Sequence, residues 1–239
     1  DSFKPISIKD LLGRDSVRPN LSLLGPSING SVICVTGAGG SIGSELCRQI
    51  IKLKPKKLII LDNNELNLYT IIEENKNNYS IENLISYLAN ICNKKQITDI
   101  FQKHNVDIIF HSAAYKHVPI VEKNVLSGLE NNIIGTKVIC ESARSCSAKK
   151  VIFISSDKAV RPSNIMGASK RCSELVVQAF AEEEKARIGN PKTLFSMVRF
   201  GNVLASSGSV VPLFENQIKS GGPITITHPE IIRYFMTIE

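Results

Sequence analysis

The chain has no tryptophan, no CxxC pair and no apolar run long enough to cross a membrane. Each absence removes a class of function. Without tryptophan, and without a zinc, RNP or helix-turn-helix pattern, nothing supports nucleic-acid binding. The six cysteines (Cys34, Cys47, Cys92, Cys140, Cys146, Cys172) are scattered, most of them inside prospective strands and helices. They read as reduced packing residues of a cytosolic protein, not as a disulfide or zinc framework. The four histidines (His104, His111, His117, His228) lack ligand spacing with cysteines or acids, so no metal is expected. Runs such as Leu58-Ile59-Ile60-Leu61 fall far short of the roughly 20 residues of a spanning helix, and no signal peptide opens the chain. A soluble, cytoplasmic piece is expected. Because it starts at Asp1 without a methionine and stops just after an apolar run, it is read as a fragment.

With 43% apolar and 21% charged residues, the 239-residue chain can bury one core of ordinary size. The net charge of +7 suits an acidic ligand or an anionic surface, although Lys-rich stretches such as Lys52 to Lys57 also suit solvated helix ends. From Val32 onward, apolar runs of strand length alternate with helical segments. Strands are expected at Val32 to Thr36, Lys57 to Leu61, Leu84 to Leu88, Asp107 to His111, Val151 to Ser155 and Leu194 to Arg199, with helices near 43–53, 65–76, 94–104, 125–146 and 167–187. That alternation predicts an α/β fold, a Rossmann-type doubly wound parallel sheet. Residues 1–30, rich in Pro and Ser around a short amphipathic stretch at Ile8 to Leu12, read as a surface arm. After Arg199 the rhythm breaks into Gly- and Pro-punctuated pieces, as in loops that close over a ligand.

Thr36-Gly37-Ala38-Gly39-Gly40-Ser41-Ile42-Gly43 follows a strand and opens a helix, the context in which glycine spacing carries meaning. Gly37 permits a tight turn, Gly40 lets backbone N–H groups approach a pyrophosphate, and Gly43 lets the helix pack closely. Asp62 closes the second strand 19 residues beyond Gly43, where a carboxylate accepts from ribose hydroxyls and repels a 2′-phosphate, so NAD is expected over NADP. The same Asp62 could instead cap the helix that begins near Glu65.

Ser155-Ser156-Asp157-Lys158, followed by Met166-Gly167-Ala168-Ser169-Lys170, resembles a short-chain dehydrogenase active site whose tyrosine is missing. Met166 holds the tyrosine slot, and a thioether has no proton to exchange, so another group must move it. Taken alone, Met166 would be core filler. The segments TGAGGSIGSELCRQI, HSAAYKHVPIVE, SSDKAVRPSNIMGASKR, VRFGNVLASSGSVVPLF and GGPITITHPEIIRYFMT resemble the polysaccharide-biosynthesis nucleotide-sugar 4,6-dehydratases, most closely those acting on UDP-N-acetylglucosamine, over about residues 7 to 239.

The resemblance implies an NAD-binding domain over 31–200 and a partial nucleotide-sugar lobe over 201–239. It implies NAD contacts from Thr36, Gly37, Gly39, Gly40, Ser41, Ile42, Gly43, Asp62, Asn90, Ile91, Ala113, Ala114, Asn132 and Lys170, with Asn90 standing where relatives usually carry Asp. Lys116, His117, Arg199, Asn202 and Arg233 are implied at the sugar nucleotide; Arg199 could instead be a structural ion pair. In the implied reaction, NAD oxidises C4 of the hexose, water leaves across C5 and C6, and the hydride returns to C6. Ser156 would hydrogen-bond the C4 oxygen, Asp157 would act as acid at C6 and Lys158 as base at C5, or these two roles are exchanged. Asp157 has to be protonated and Lys158 neutral when each acts. Lys170 would hold the nicotinamide ribose, and a water or Asp157 would relay the C4 proton. Relatives with Met in this slot are often the soluble part of a larger protein with N-terminal membrane helices, which implies a parent anchored at the cytoplasmic face of the inner membrane and a homo-oligomer as an open expectation. Two rivals remain at this point: a 4-epimerase or C5-inverting dehydratase on the same scaffold, and a dinucleotide-binding regulator that has lost catalysis.

Overall fold

A computed structural model describes residues 20–76, 83–189, 193–204, 210–226, 228–230, 232 and 234–238. The Ile8 to Leu12 stretch and Arg233 lie outside them. Short apolar runs become strands: β1 (Val32–Thr36), β2 (Lys57–Asp62), β3 (Leu84–Leu88), β4 (Ile108–His111), β5 (Lys150–Ser156) and β6 (Leu194–Phe200). All pair in parallel, in the order β3-β2-β1-β4-β5-β6. This is the doubly wound Rossmann order, whose ligand crevice lies outside the carboxyl ends of the strands where the order reverses, between β1 and β4.

Continuous apolarity in β1 and β2 is explained by burial on both faces. Ile33, Val35, Leu58 and Ile60 face α1 (Leu21–Ile28), α2 (Ser41–Lys52) and α3 (Glu65–Lys76) through Ile28, Cys47, Ile50, Leu68 and Ile71. Val32, Cys34, Ile59 and Leu61 face the opposite layer, made by α4 (Lys94–His104), α7 (Gly135–Ser145) and α8 (Ile165–Ala186) through Phe101, Ile139, Val177 and Phe180. Part of the expected surface arm is therefore helical and anchored, since Ile28 is buried in the layer with α2 and α3 and Lys150 Nζ donates to Ser27 Oγ at 3.1 Å.

The helix expected over 125–146 runs unbroken from Val125 to Ser145, with a π-helical turn inside it. Between β4 and β5 the chain runs through α5 (Val118–Lys123), α6 (Val125–Leu129), a π-helical turn (Glu130–Ile134) and α7. Capping explains two other boundaries. Asn93 accepts from Gln96 N at the start of α4, and Asn164 accepts from Gly167 N at 2.8 Å, starting α8 two residues before the expected point. Beyond β6, a two-residue parallel ladder joins β7 (Asn202–Val203) to β8 (Phe235–Met236), with α9 (Val210–Lys219) between them in sequence. Among the described residues no helix is long and apolar enough to cross a membrane.

Candidate active site

A cavity of about 650 Å³ opens at the carboxyl ends of β1, β2, β4 and β5, a size suited to a cofactor and a small substrate. Its floor is the glycine loop. Gly37 has φ +64°, and a Cβ there would stand 2.6 Å from Ala113 Cα, so the loop can lie against the β4 end only with glycine at this position. A Cβ on Gly43 would meet Gly37 O at 2.1 Å, so the first turn of α2 and the loop are in contact. No side chain caps α2 at Gly40, and Ser41, Ile42 and Gly43 line the cavity. The N-terminal end of a twelve-residue helix thereby faces the cavity, where its dipole favours an anion.

Asp62 lines the cavity and is nearly buried. Its two oxygens accept from Gly39 N and Asn64 N, each at 2.9 Å, which leaves lone pairs on a carboxylate that offers about four. The cap of α3 is supplied by Asn64, whose side chain accepts from Asn67 N, not by Asp62. Ile91, Ala113 and Ala114 also line the cavity.

Four residues expected at the cofactor are turned to other work. Asn90 is exposed, accepts from Cys92 N and is not in the cavity wall, whereas its neighbours Ala89 and Ile91 are. Thr36 is buried against His111, its hydroxyl 2.7 Å from Nδ1. Asn132 has all four hydrogen-bonding positions filled by the protein: it accepts from Tyr115 N and Asn131 Nδ2 and donates to Tyr115 O and Ser169 Oγ. The amide is a clamp between the π-turn, the β4 loop and α8, and no capacity remains for a ligand. Gly39, likewise outside the cavity wall, gives its N–H to Asp62.

The opposite wall carries Ser156, Lys158, Met166 and Lys170. Ser156 Oγ donates to Asp157 Oδ1 at 2.9 Å and accepts from Lys158 N at 3.2 Å. Lys158 Nζ donates to the same Asp157 Oδ1 at 3.1 Å and to Asn202 Oδ1 at 3.0 Å. Asp157 itself does not line the cavity, and its side chain is partly exposed. Met166 is buried at the start of α8, and Lys170 follows one turn later on the same face. Lys170 Nζ donates to Ile154 O at 2.8 Å and sits 4.4 Å from the centroid of the Phe153 ring. Burial pulls this ammonium down to about 7, with Glu174 opposing.

Lys116 and His117 line the cavity from the β4 side. The Lys116 ammonium is held below the ordinary lysine range, first by desolvation and then by the charge of Lys158. Asn202 also lines the cavity, its amide donating to Tyr234 O at 3.2 Å. Arg199 does not. Its guanidinium makes two 2.7 Å bonds to the oxygens of Glu174, so it is the structural ion pair and not a substrate contact. Glu174, fully buried, also accepts from Ser155 Oγ and Arg171, and these bonds hold its carboxyl down near 2, Arg199 contributing most.

Glu174 and Asn131 were not found by sequence reasoning. Asn131 reaches the cavity because the π-turn rotates it there. Glu174 carried one weak signal, its position one turn beyond Lys170 on the buried face of α8.

A family model described as "Polysaccharide biosynthesis protein" matches residues 33–239. The chain belongs to that family. CapD of Staphylococcus aureus, a capsular polysaccharide biosynthesis protein, is 47% identical over all of this chain and 39% of its own length. A UDP-glucose 4-epimerase of Rickettsia massiliae is 36% identical over 86% of this chain and 59% of its own. The chain thus spans well under two thirds of these curated family relatives. Among solved structures, Pen from Bacillus thuringiensis superposes with a TM-score of 0.82 at 33% identity, covering 89% of this chain and 65% of that one.

Proposed function

We propose that this chain is the catalytic part of an NAD-dependent hydro-lyase that converts UDP-N-acetylglucosamine to a UDP-4-keto-6-deoxy sugar for surface polysaccharide or glycoprotein synthesis. The observation that carries the reading is the single wall on which Ser156, Lys158, Met166 and Lys170 stand together, with Asp157 hydrogen-bonded to the first two. A thioether in the tyrosine slot suits a site whose proton traffic runs through an acid–base pair elsewhere. The uncapped α2, the glycine loop pressed on Ala113 and the buried Asp62 fit a dinucleotide with free ribose hydroxyls.

When bound, NAD would supply a hydride acceptor at the sugar's C4 and a donor at C6. Lys170 would hold the nicotinamide ribose while its burial keeps part of the population uncharged near neutral pH. Ser156 would hold the C4 oxygen, and the C4 ketone would acidify the C5 proton for Lys158. Asp157 would supply the proton with which the C6 oxygen departs. Lys116, His117 and the carboxamide of Asn202 would face the sugar diphosphate, where desolvated ammonium groups favour an anion.

An epimerase reading is favoured by the Rickettsia relatives, but a 4-epimerase uses a tyrosine-type base and needs no acid beside Lys158. Purified protein is incubated with UDP-N-acetylglucosamine and catalytic NAD, and the product is weighed by mass spectrometry. Loss of one water without accumulation of NADH is the expected result. An isomer of unchanged mass means epimerase, and binding of NAD with no conversion by the full-length parent means a regulator.

A further inference from the structure

The positive charge of this chain gathers at the end of the sheet away from the cavity. Segments 27–31, 52–57, 103–107 and 149–150 meet at the amino ends of β1, β2, β4 and β5, and together they carry seven lysines and one acid, Asp107. Their contact is direct. Gly30 N donates to Lys54 O at 3.2 Å, Lys56 N to Ser31 O at 2.8 Å and Lys149 N to Asp107 O at 2.7 Å, while Lys150 Nζ reaches Ser27 Oγ. His104 is held below its ordinary value by burial and then by the ammonium groups of Lys57 and Lys103 beside it. Asp107 cannot balance the group, because its oxygens accept from Val32 N at 2.8 Å and from Lys149 Nζ at 2.9 Å. Lys54, Lys56, Lys103 and Lys149 are exposed. The excess is local: Arg144, Lys185 and Arg187, at the ends of α7 and α8, are matched one for one by Glu183, Glu182 and Glu184.

Two leucines border these lysines. Leu23 and Leu24 are 74% and 44% exposed on α1, four residues before Ser27, which meets Lys150, and Ile28, which is buried. Positions four apart share a helix face, so Leu23 lies on the Lys150 side of α1. No Phe, Tyr or Trp occurs in residues 20–31 or in the three lysine segments, so the face offers nothing on which nucleic-acid bases would stack. We propose that this face docks on an anionic lipid surface, with the lysines against its headgroups and Leu23 and Leu24 at the edge of its hydrocarbon. The cavity lies at the other ends of the same strands, which are four to seven residues long, so about 13–23 Å of sheet separates it from the lipid. A docked molecule therefore holds its cavity toward the aqueous side, open to ligands from solution.

Sedimentation with vesicles tests the proposal. The protein is expected to pellet at low salt with vesicles of phosphatidylglycerol in phosphatidylcholine, to bind them at least about tenfold more weakly in roughly 0.5 M salt, and to bind phosphatidylcholine alone little. Lys54→Glu, Lys56→Glu and Lys103→Glu together are expected to weaken binding about 100-fold or more, and Leu23→Ser several-fold, each with an unaltered melting temperature. Lys94→Glu, Lys95→Glu and Lys123→Glu, the same change of net charge at exposed sites on α4 and α5 away from this face, are expected to stay within a few-fold of the unaltered protein. Equal losses from the two triple variants, or equal pelleting with neutral vesicles, overturn the docking face. A single-stranded RNA oligomer that displaces the protein from anionic vesicles through the same three lysines assigns the face to nucleic acid and overturns it too. Saturating vesicles are expected to leave the affinity for NAD unchanged, and a loss of about tenfold would overturn the placement of the cavity toward water.

Discussion

Lys170 and Glu174 lie four residues apart on α8, the spacing at which a lysine and a glutamate ordinarily pair. They do not pair here, because Arg199, Arg171 and Ser155 take the Glu174 oxygens. Lys170 is therefore buried with a carbonyl and an aromatic ring as its polar partners, which is what keeps it near neutrality. Arg199→Met should free Glu174 to turn toward Lys170. The expected result is a lower midpoint in denaturant unfolding, because buried Glu174 loses its two-bond partner. In the glycine loop, Gly43→Ala forces a methyl group to 2.1 Å from a backbone oxygen that cannot swing away. Affinity for the dinucleotide, measured by calorimetry, should fall at least tenfold, with stability lowered by about 1–3 kcal/mol.

Among the elements, β1 and β2 were legible because burial on both faces leaves uninterrupted apolar runs such as Val32 to Val35, the edge strands β3 and β6 from shorter β-rich runs in the same alternation, and the glycine loop because its spacing follows one of the strands. The π-helical turn at Glu130–Ile134 was not, since amphipathic spacing continues across it and the bonds that hold it are tertiary: Asn132 is held from Tyr115 and Ser169. The same limit applies to the expected contacts of Asn132, Thr36 and Arg199. Their residue types suit a ligand, and only the fold reveals that other partners already occupy them. His111, for which no ligand contact was expected, is likewise fully partnered within the protein. Thr136 Oγ1 gives its proton to Asn132 O, so the imidazole Nε2 must donate to Thr136, and Nδ1 accepts from Thr36. Burial, reinforced by Lys170, drives this histidine from 6.5 down to about 3. A depressed histidine is neutral in the fold but charged in the unfolded chain over that interval. Its contribution is whole above about pH 6.5 and is lost as pH falls toward 3, by up to about 5 kcal/mol. His111→Gln, which can bridge the two threonines without titrating, should flatten the fall of melting temperature with acid between those limits.

At the scale of the whole molecule, the cavity is bordered by the ends of strands from both sides of the β1–β4 switch, β6 included, and by Asn202 from β7, so a ligand filling it ties both halves of the sheet together. NAD at a hundredfold excess over its dissociation constant should stabilise the protein by about 2.7 kcal/mol, a rise of roughly 5–10 °C in melting temperature for a chain of this size. NADP should give a clearly smaller rise, because its 2′-phosphate would meet the Asp62 carboxylate. Equal shifts from the two dinucleotides would remove Asp62 from the ribose site.

Asn202 belongs to two assemblies at once. Its backbone N–H and carboxamide both bond Tyr234 O at the start of the β7–β8 ladder, while its side-chain oxygen holds Lys158. Among the described residues that ladder is the one strand pairing by which the segment beyond residue 220 rejoins the body. The tail and the Lys158 amine in the cavity wall consequently share a single pin, and a pull on the first is transmitted as a change in reach of the second.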